Sequence, residues 1–179
     1  MSFIKELSAT FAFIFCFALV ALDSSAGIIE VYDEDPVVQY VKKFTKNVNK
    51  SKQKKALSLV PYVIEAAEKY AIDPLWVAVN LACESSFGIF GQRKGKLGEI
   101  GLGQVHGTAL RIIKKAGINL KTERGQIEGI AFLLKEGINR CGNYKNSQNW
   151  YQTGRCKNFP QPVKRRLRLY KKARKEFLR

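Results

Sequence analysis

The chain has one histidine, His106, and four cysteines, at positions 16, 83, 141 and 156, and none of these five residues stands close to another. A metal site built on closely spaced Cys and His ligands is thereby excluded, and no cofactor is implied. Acidic residues are scarce: 15 Asp and Glu against 31 Lys and Arg give a formal net charge of +16. That surplus predicts attraction to a polyanion, but it does not separate nucleic acid, acidic lipid and an anionic bacterial wall. Strand-like alternation is rare, and neither an internal repeat nor a low-complexity tract is present. What remains is the composition of a folding protein, 46% apolar and 11% aromatic. At 179 residues the chain has room for one ordinary domain and a targeting segment.

The amino terminus supplies that segment. Leu7 to Leu22 is uncharged and rich in Phe, Ala and Leu. It is shorter than the roughly 20 residues of a comfortable bilayer span and close to the apolar region of a signal peptide. Ser24 and Ala26 place small residues for cleavage before Gly27. Residues 1–26 therefore read as a signal peptide or as an uncleaved anchor, and both put the bulk of the chain outside the cytoplasm. Cys16 follows Phe15 where a lipoprotein site needs a small residue. Of the other cysteines, Cys141 and Cys156 flank a polar, Asn-rich loop and form the natural pair in an oxidising compartment. Cys83 sits in an apolar run as a buried free thiol.

The rest reads as helices. Residues 27–56 form an amino-terminal helical segment and connector. Pro36 stands at a helix start before Val37, Val38, Tyr40, Val41 and Phe44, and Ser51 to Lys55 is a charged connector. Residues 57–179 form the main domain. Leu57 to Tyr70 has helical periodicity, with Pro61 near its start. Asp73-Pro74 pairs an N-cap with proline at the first helical position. The helix from Leu75 to about Phe87 is apolar almost all round, which marks it as a core helix. Gly88 to Gly98 is a loop. Gly101 to Gln104 turns into a helix around Thr108 to Ala116, an apolar helix covers about Ile127 to Ile138, and Pro160 and Pro162 open a last basic helix. The fold class is mainly α.

Glu84 is the first residue that needs a chemical reason. It ends the apolar core helix on the face of Val77 and Leu81. Burying a carboxylate there costs free energy unless it holds a proton, and a carboxylic acid kept neutral by apolar surroundings is what glycoside cleavage asks of its general acid.

Around Glu84 the chain resembles a known family. Ile72-Asp73-Pro74 followed by Ala82-Cys83-Glu84-Ser85-Ser86-Phe87 looks like the acidic-Pro and E-S-x-F segment of the SLT-type lytic transglycosylases. Gly98 to Val105 (GEIGLGQV) resembles their G-x-x-G-L-x-Q signature, and Tyr151-Gln152-Thr153-Gly154 is similar to their Y-N-x-G segment. The order and spacing agree over about Leu57 to Cys156. The resemblance implies a lysozyme-like helical fold, which here carries the basic carboxy-terminal helix in addition, with peptidoglycan glycan strands as substrate and no cofactor. It implies Glu84 as the catalytic acid and base, Ser85 as its support, and Gln104 and Tyr151 as substrate-binding groups. Phe87, Gly101 and Gly154 would shape the pocket and its turns, whereas Gly103, where the family usually has Met, either lets the backbone approach a ligand or serves a turn. A single acid that protonates the glycosidic oxygen can then deprotonate the muramoyl 6-hydroxyl, which closes a 1,6-anhydro ring.

The chain departs from the family pattern at Gly103, at His106-Gly107, at Gln152 and at Glu99. His106 reads as an incidental polar residue or as a contact to substrate. Glu99 reads as a surface group or a turn hydrogen bond, or as a second carboxylate that would admit ordinary hydrolysis. The tail Lys164–Arg179 is more than half Lys and Arg, with Val163, Leu167, Tyr170 and Phe177 as an apolar stripe. Its stripe docks on the domain, with the charges as a solvated face, or the charges bind an anionic wall or membrane surface. Export argues against nucleic acid. The sequence expectation is thus an exported cell-envelope or periplasmic enzyme opening the wall, in the service of a secretion, conjugation or phage apparatus. A hydrolytic muramidase and a wall-binding protein that no longer cuts are the alternatives.

Overall fold

The computed structural model describes residues 34–91, 98–99 and 101–178. The apolar amino-terminal segment, its cleavage site before Gly27, Cys16 and most of the Gly88 to Gly98 loop lie outside the described residues. The described chain is built from eight α-helices: α1 (Pro36–Phe44), α2 (Lys50–Leu57), α3 (Val60–Lys69), α4 (Pro74–Ser85), α5 (Gly107–Lys115), α6 (Glu123–Cys141), α7 (Tyr144–Thr153) and α8 (Gln161–Phe177). No strand occurs among the described residues. The mainly helical fold class holds.

Helix α4 is the central helix of the described residues. Its N-cap Asp73 accepts a hydrogen bond from the Leu75 amide at 2.9 Å, and Pro74 supplies a pre-set φ at the first position. Leu75, Trp76, Val77, Ala78, Val79, Leu81 and Ala82 are all buried, so no face of the helix is wet. It packs against α1, α3, α6 and α8. Each fully buried aliphatic side chain contributes about 1.5–3 kcal/mol, enough for a sequence apolar at nearly every position to specify a central place. Helix α1 joins the same core through Val37, Val38 and Val41.

Two elements differ from the sequence expectation. The charged connector is helix α2: Asn49 caps it by accepting from the Lys52 amide at 3.0 Å, and only Ala56 is buried. Helix formers such as Lys, Gln and Ala, together with a cap, suffice where there is little apolar periodicity to see. The Asn-rich loop is helix α7, capped by Asn143 and ended by Gly154 in the left-handed region. Its buried residues are Ser147, Gln148 and Asn149, so it docks on polar contacts that hydrophobic periodicity cannot reveal.

Those contacts form a network. Gln148 Oε1 accepts from Trp76 Nε1 at 2.8 Å and from Asn80 Nδ2 at 2.9 Å, while Gln148 Nε2 donates to Asn80 Oδ1 at 2.8 Å. Asn80 therefore ties α4 to α7, and fully satisfied buried polar groups of this kind fix one packing arrangement. The bond between Cys141 and Cys156 joins the end of α6 to the segment after α7, as the sequence suggested. Cys83 is a free thiol, partly buried, and burial raises its pKa despite the opposing charges of Arg166 and Arg165. No described helix is long and apolar enough to cross a membrane. The apolar stripe of α8 docks: Val163, Leu167 and Tyr170 are buried, and Arg174 and the Tyr170 hydroxyl both reach Asp73.

Candidate functional site

Glu84 lies in the last turn of α4, and the backbone explains why the helix stops there. Ser86 and Phe87 both adopt left-handed conformations, with φ of 51° and 57°. Such conformations are costly for residues with a side chain, by about 1–3 kcal/mol each, and persist only where packing holds them. The Phe87 ring supplies that packing. It is fully buried and meets the Phe44 ring edge-on at 5.5 Å between centroids. The turn ends α4 and leaves Glu84 on the wall of a cleft of about 690 Å³, within the range of small-molecule sites.

Three residues expected to act together meet in this cleft. Glu84 comes from α4, Gln104 from the turn before α5, and Tyr151 from α7. The Tyr151 hydroxyl donates to the Gly103 carbonyl at 2.9 Å, which fastens the Gly101–Gln104 turn to α7. Burial, followed by the negative charge of Glu84, holds the Tyr151 phenol protonated well above its ordinary range, against the opposing pull of Arg166. Gln104 has a φ of 46°, and its Nε2 donates to the Gly101 carbonyl at 2.8 Å, so its amide braces the turn that carries it. Gly103 is required for space. A β-carbon there would lie 2.8 Å from Ile130 Cγ1. Gly101 combines a φ of 70° with a β-carbon position 2.6 Å from the Gln126 amide, whose Oε1 accepts from the Leu102 amide.

The remaining expected residues fall as follows. Ser85 donates to the Leu81 carbonyl at 3.2 Å, within its own helix, and is not part of the cleft wall. Gly154 and Gln152 line the cleft, Gly154 as the left-handed residue after α7. His106 is exposed on the cleft wall at the N-cap of α5, without a side-chain capping bond. Glu99 also lines the cleft, on its wall together with Glu84.

One feature contradicts the sequence reading of Glu84. Its setting is not purely apolar: Arg166 Nη1 donates to Glu84 Oε1 at 2.5 Å, from side chains only 10% and 16% exposed. Burial works to lower the pKa of the guanidinium, but the hydrogen bond and charge of Glu84 outweigh it and hold Arg166 above its usual range. The pairing has a clear physical reason. A carboxylate in the final turn of a helix faces the unfavourable end of the helix dipole, and a cation there offsets both charges. Arg166 also sits 3.4 Å from Asn80 Oδ1, so the polar network of α4 and α7 orients it.

Sequence reasoning missed Arg166 by treating all the α8 charges as outward-facing, either a solvated face or one that binds an anionic wall or membrane. The signal was present: Val163, Arg166, Tyr170 and Ala173 recur at spacings of three and four, so Arg166 lies on the buried stripe. Arg140, with its guanidinium 5.3 Å from the centre of the Trp150 ring, also lines the cleft without having been expected there.

Chemically, the cleft offers one carboxylate with a guanidinium partner, a second carboxylate on the wall, a phenol, amides and an aromatic ring. This set can transfer protons and exchange hydrogen bonds with a polar ligand. Comparison of the chain with protein-family models, with curated proteins and with solved structures gives no match.

Proposed function

We propose that the protein is a peptidoglycan lytic transglycosylase with a lysozyme-like helical domain, acting outside the cytoplasm. One observation carries the reading: Glu84, Gln104 and Tyr151, separated by up to 67 positions in sequence (151 − 84), line a single cleft. In this reading Glu84 protonates the oxygen between N-acetylmuramic acid and N-acetylglucosamine as an oxocarbenium-like centre develops. The resulting carboxylate takes the proton of the muramoyl 6-hydroxyl, which closes the anhydro ring and needs no activated water.

An acid aimed at a sugar oxygen cannot at the same time be the anionic half of an ion pair. The glycan must therefore part Glu84 from Arg166 as it enters, so that the freed carboxylate takes a proton from solvent before it donates, and Asn80 keeps the guanidinium within reach for the return. Tyr151 stays protonated and serves as a fixed donor rather than a base. The exposed cations of α8 suit attraction to the anionic wall, and the disulfide fits an oxidising envelope. Service to a secretion, conjugation or phage apparatus accords with the small domain and rests on the family resemblance.

A second reading rests on Glu99. A second carboxylate on the cleft wall would let the same acid work with an activated water, as a hydrolytic muramidase. Turbidity of purified sacculi tests whether the protein cuts at all. Wild type should clear the suspension and Glu84→Gln should not. If both leave it unchanged, the protein is a wall-binding one.

A further inference from the structure

A second cavity, of about 700 Å³, lies on the other side of α4, between α1 and α8. Its apolar lining includes Tyr40, Phe44 and Phe177, with the Tyr40 ring tilted against Phe44 and meeting Phe177 edge to face. Phe44 is 42% exposed, a high value for a ring at the rim of a groove. Along the other edge stand Arg165, Arg168 and Lys172, exposed and spaced along one side of α8. None of the three has an acidic partner among the described residues, whereas Glu176, the acid at this groove, is neutralised by Lys43. An apolar trough beside three unneutralised cations asks for a ligand with a negative head and a hydrocarbon body.

We propose that this groove binds an anionic phospholipid, with the phosphate on Arg165, Arg168 and Lys172 and the start of the acyl chains on Tyr40, Phe44 and Phe177. Charge complementarity selects the head group, and basic residues beside aromatic rings are the pattern of an interfacial lipid site. The walls favour lipid over a strand-like peptide. They are helices whose main-chain groups bond internally, so no free edge is offered to an extended peptide. A phospholipid needs only cations and apolar area. The site shares Arg166 with the glycan cleft, but lipid binding is independent of whether the cleft cuts glycan.

The free thiol of Cys83 lines the groove and reports on it. The test uses the full chain with Cys16→Ser, so that Cys83 is the one reactive thiol beside the disulfide. The probe is dihexanoyl phosphatidylglycerol below its micelle concentration, followed by calorimetric titration and by the rate of thiol labelling. Phosphatidylglycerol should slow labelling of Cys83, and dihexanoyl phosphatidylcholine and inorganic phosphate should bind about tenfold more weakly. R165Q/R168Q/K172Q should weaken binding by about tenfold or more, and K164Q/K171Q/K175Q, which removes the same charge outside the groove, by about twofold at most.

Equal losses in the two triple variants would overturn the proposal in favour of diffuse charge. Phosphate binding as tightly as the lipid would reduce the groove to an anion site, and lipid binding without protection of Cys83 would move the lipid elsewhere. Equal protection by an acidic, leucine-rich peptide would make it a protein-docking surface. The wild-type comparison of lipid, phosphatidylcholine and phosphate decides the matter even if a variant fails to fold.

Discussion

Replacing Arg166 by methionine isolates the feature that most distinguishes this cleft from a simple apolar one. The substitution keeps the aliphatic stem and removes the guanidinium, leaving Glu84 without the cation it faces at 2.5 Å. Removing one member of a buried pair costs about 3–5 kcal/mol, because the other charge stays behind. The Glu84 side chain keeps 16% exposure toward the cleft, so water recovers part of that loss and about 2–4 kcal/mol is expected. For a domain of this size the cost lowers Tm by roughly 5–15 °C. Glu84→Gln retains an oxygen that can accept from Arg166 but not the charge, and should cost about 1–2 kcal/mol. The double variant should be more stable than the sum of the singles implies, by about 1–3 kcal/mol. Urea denaturation of the four proteins measures this cycle. Strictly additive losses, or an R166M protein as stable as wild type, would refute the pairing argument. The same arithmetic means that Glu84→Gln must be assayed well below its Tm, so that lost activity is not mistaken for lost fold.

Three further outcomes follow from named contacts. Gly103→Ala places a β-carbon 2.8 Å from the buried Ile130 side chain, so it should cost about 1–3 kcal/mol and disturb the turn that carries Gln104; thermal melting checks the cost, and an unchanged Tm contradicts it. Burial chiefly, with the neighbouring acids Glu84 and Asp73, raises the phenols of Tyr151 and Tyr170 in the folded state. Their stabilisation is therefore complete below pH 10 and is lost above it, by roughly 1.4 kcal/mol per phenol per pH unit, until the native phenols themselves ionise. Tyr170→Phe should flatten that alkaline decline in a pH series of urea melts, and an identical slope would contradict the assignment. Removing the Cys141–Cys156 bond, which spans a sequence separation of 15, should cost about 3 kcal/mol or somewhat less, since α6 and α7 already pack on each other. Denaturation of a Cys141→Ser, Cys156→Ser protein measures it, and a stability equal to wild type would contradict the expectation.

The core was legible in the sequence because it obeys simple periodicities. Asp73-Pro74 announces α4, and an apolar residue at nearly every position after it leaves no place for the helix except the centre. The stripe of α8 and the start of α1 were legible for the same reason. Helices α2 and α7 were not. Lys50 to Leu57 buries one alanine, and Tyr144 to Thr153 docks through Ser147, Gln148 and Asn149, whose value lies in partners on other helices. The site divides in the same way. Glu84, Gln104 and Tyr151 were marked by short motifs, and folding brings them to one cleft. Arg166 carries no motif and sits 82 residues from its partner, so its position on a buried stripe was the single clue. Ser85, adjacent to Glu84 in sequence, bonds within its own helix, so adjacency in the chain did not bring it to the cleft wall.

The most direct measurement is mass spectrometry of the soluble fragments released from purified sacculi by wild type and by Glu84→Gln, each held below its melting temperature. Wild type should release muropeptides ending in 1,6-anhydromuramic acid, one water lighter than their reducing counterparts, and the variant should release none. Reducing ends alone would assign a hydrolase to the same cleft. Anhydro products in equal yield from both proteins would remove Glu84 from the chemistry and contradict the account.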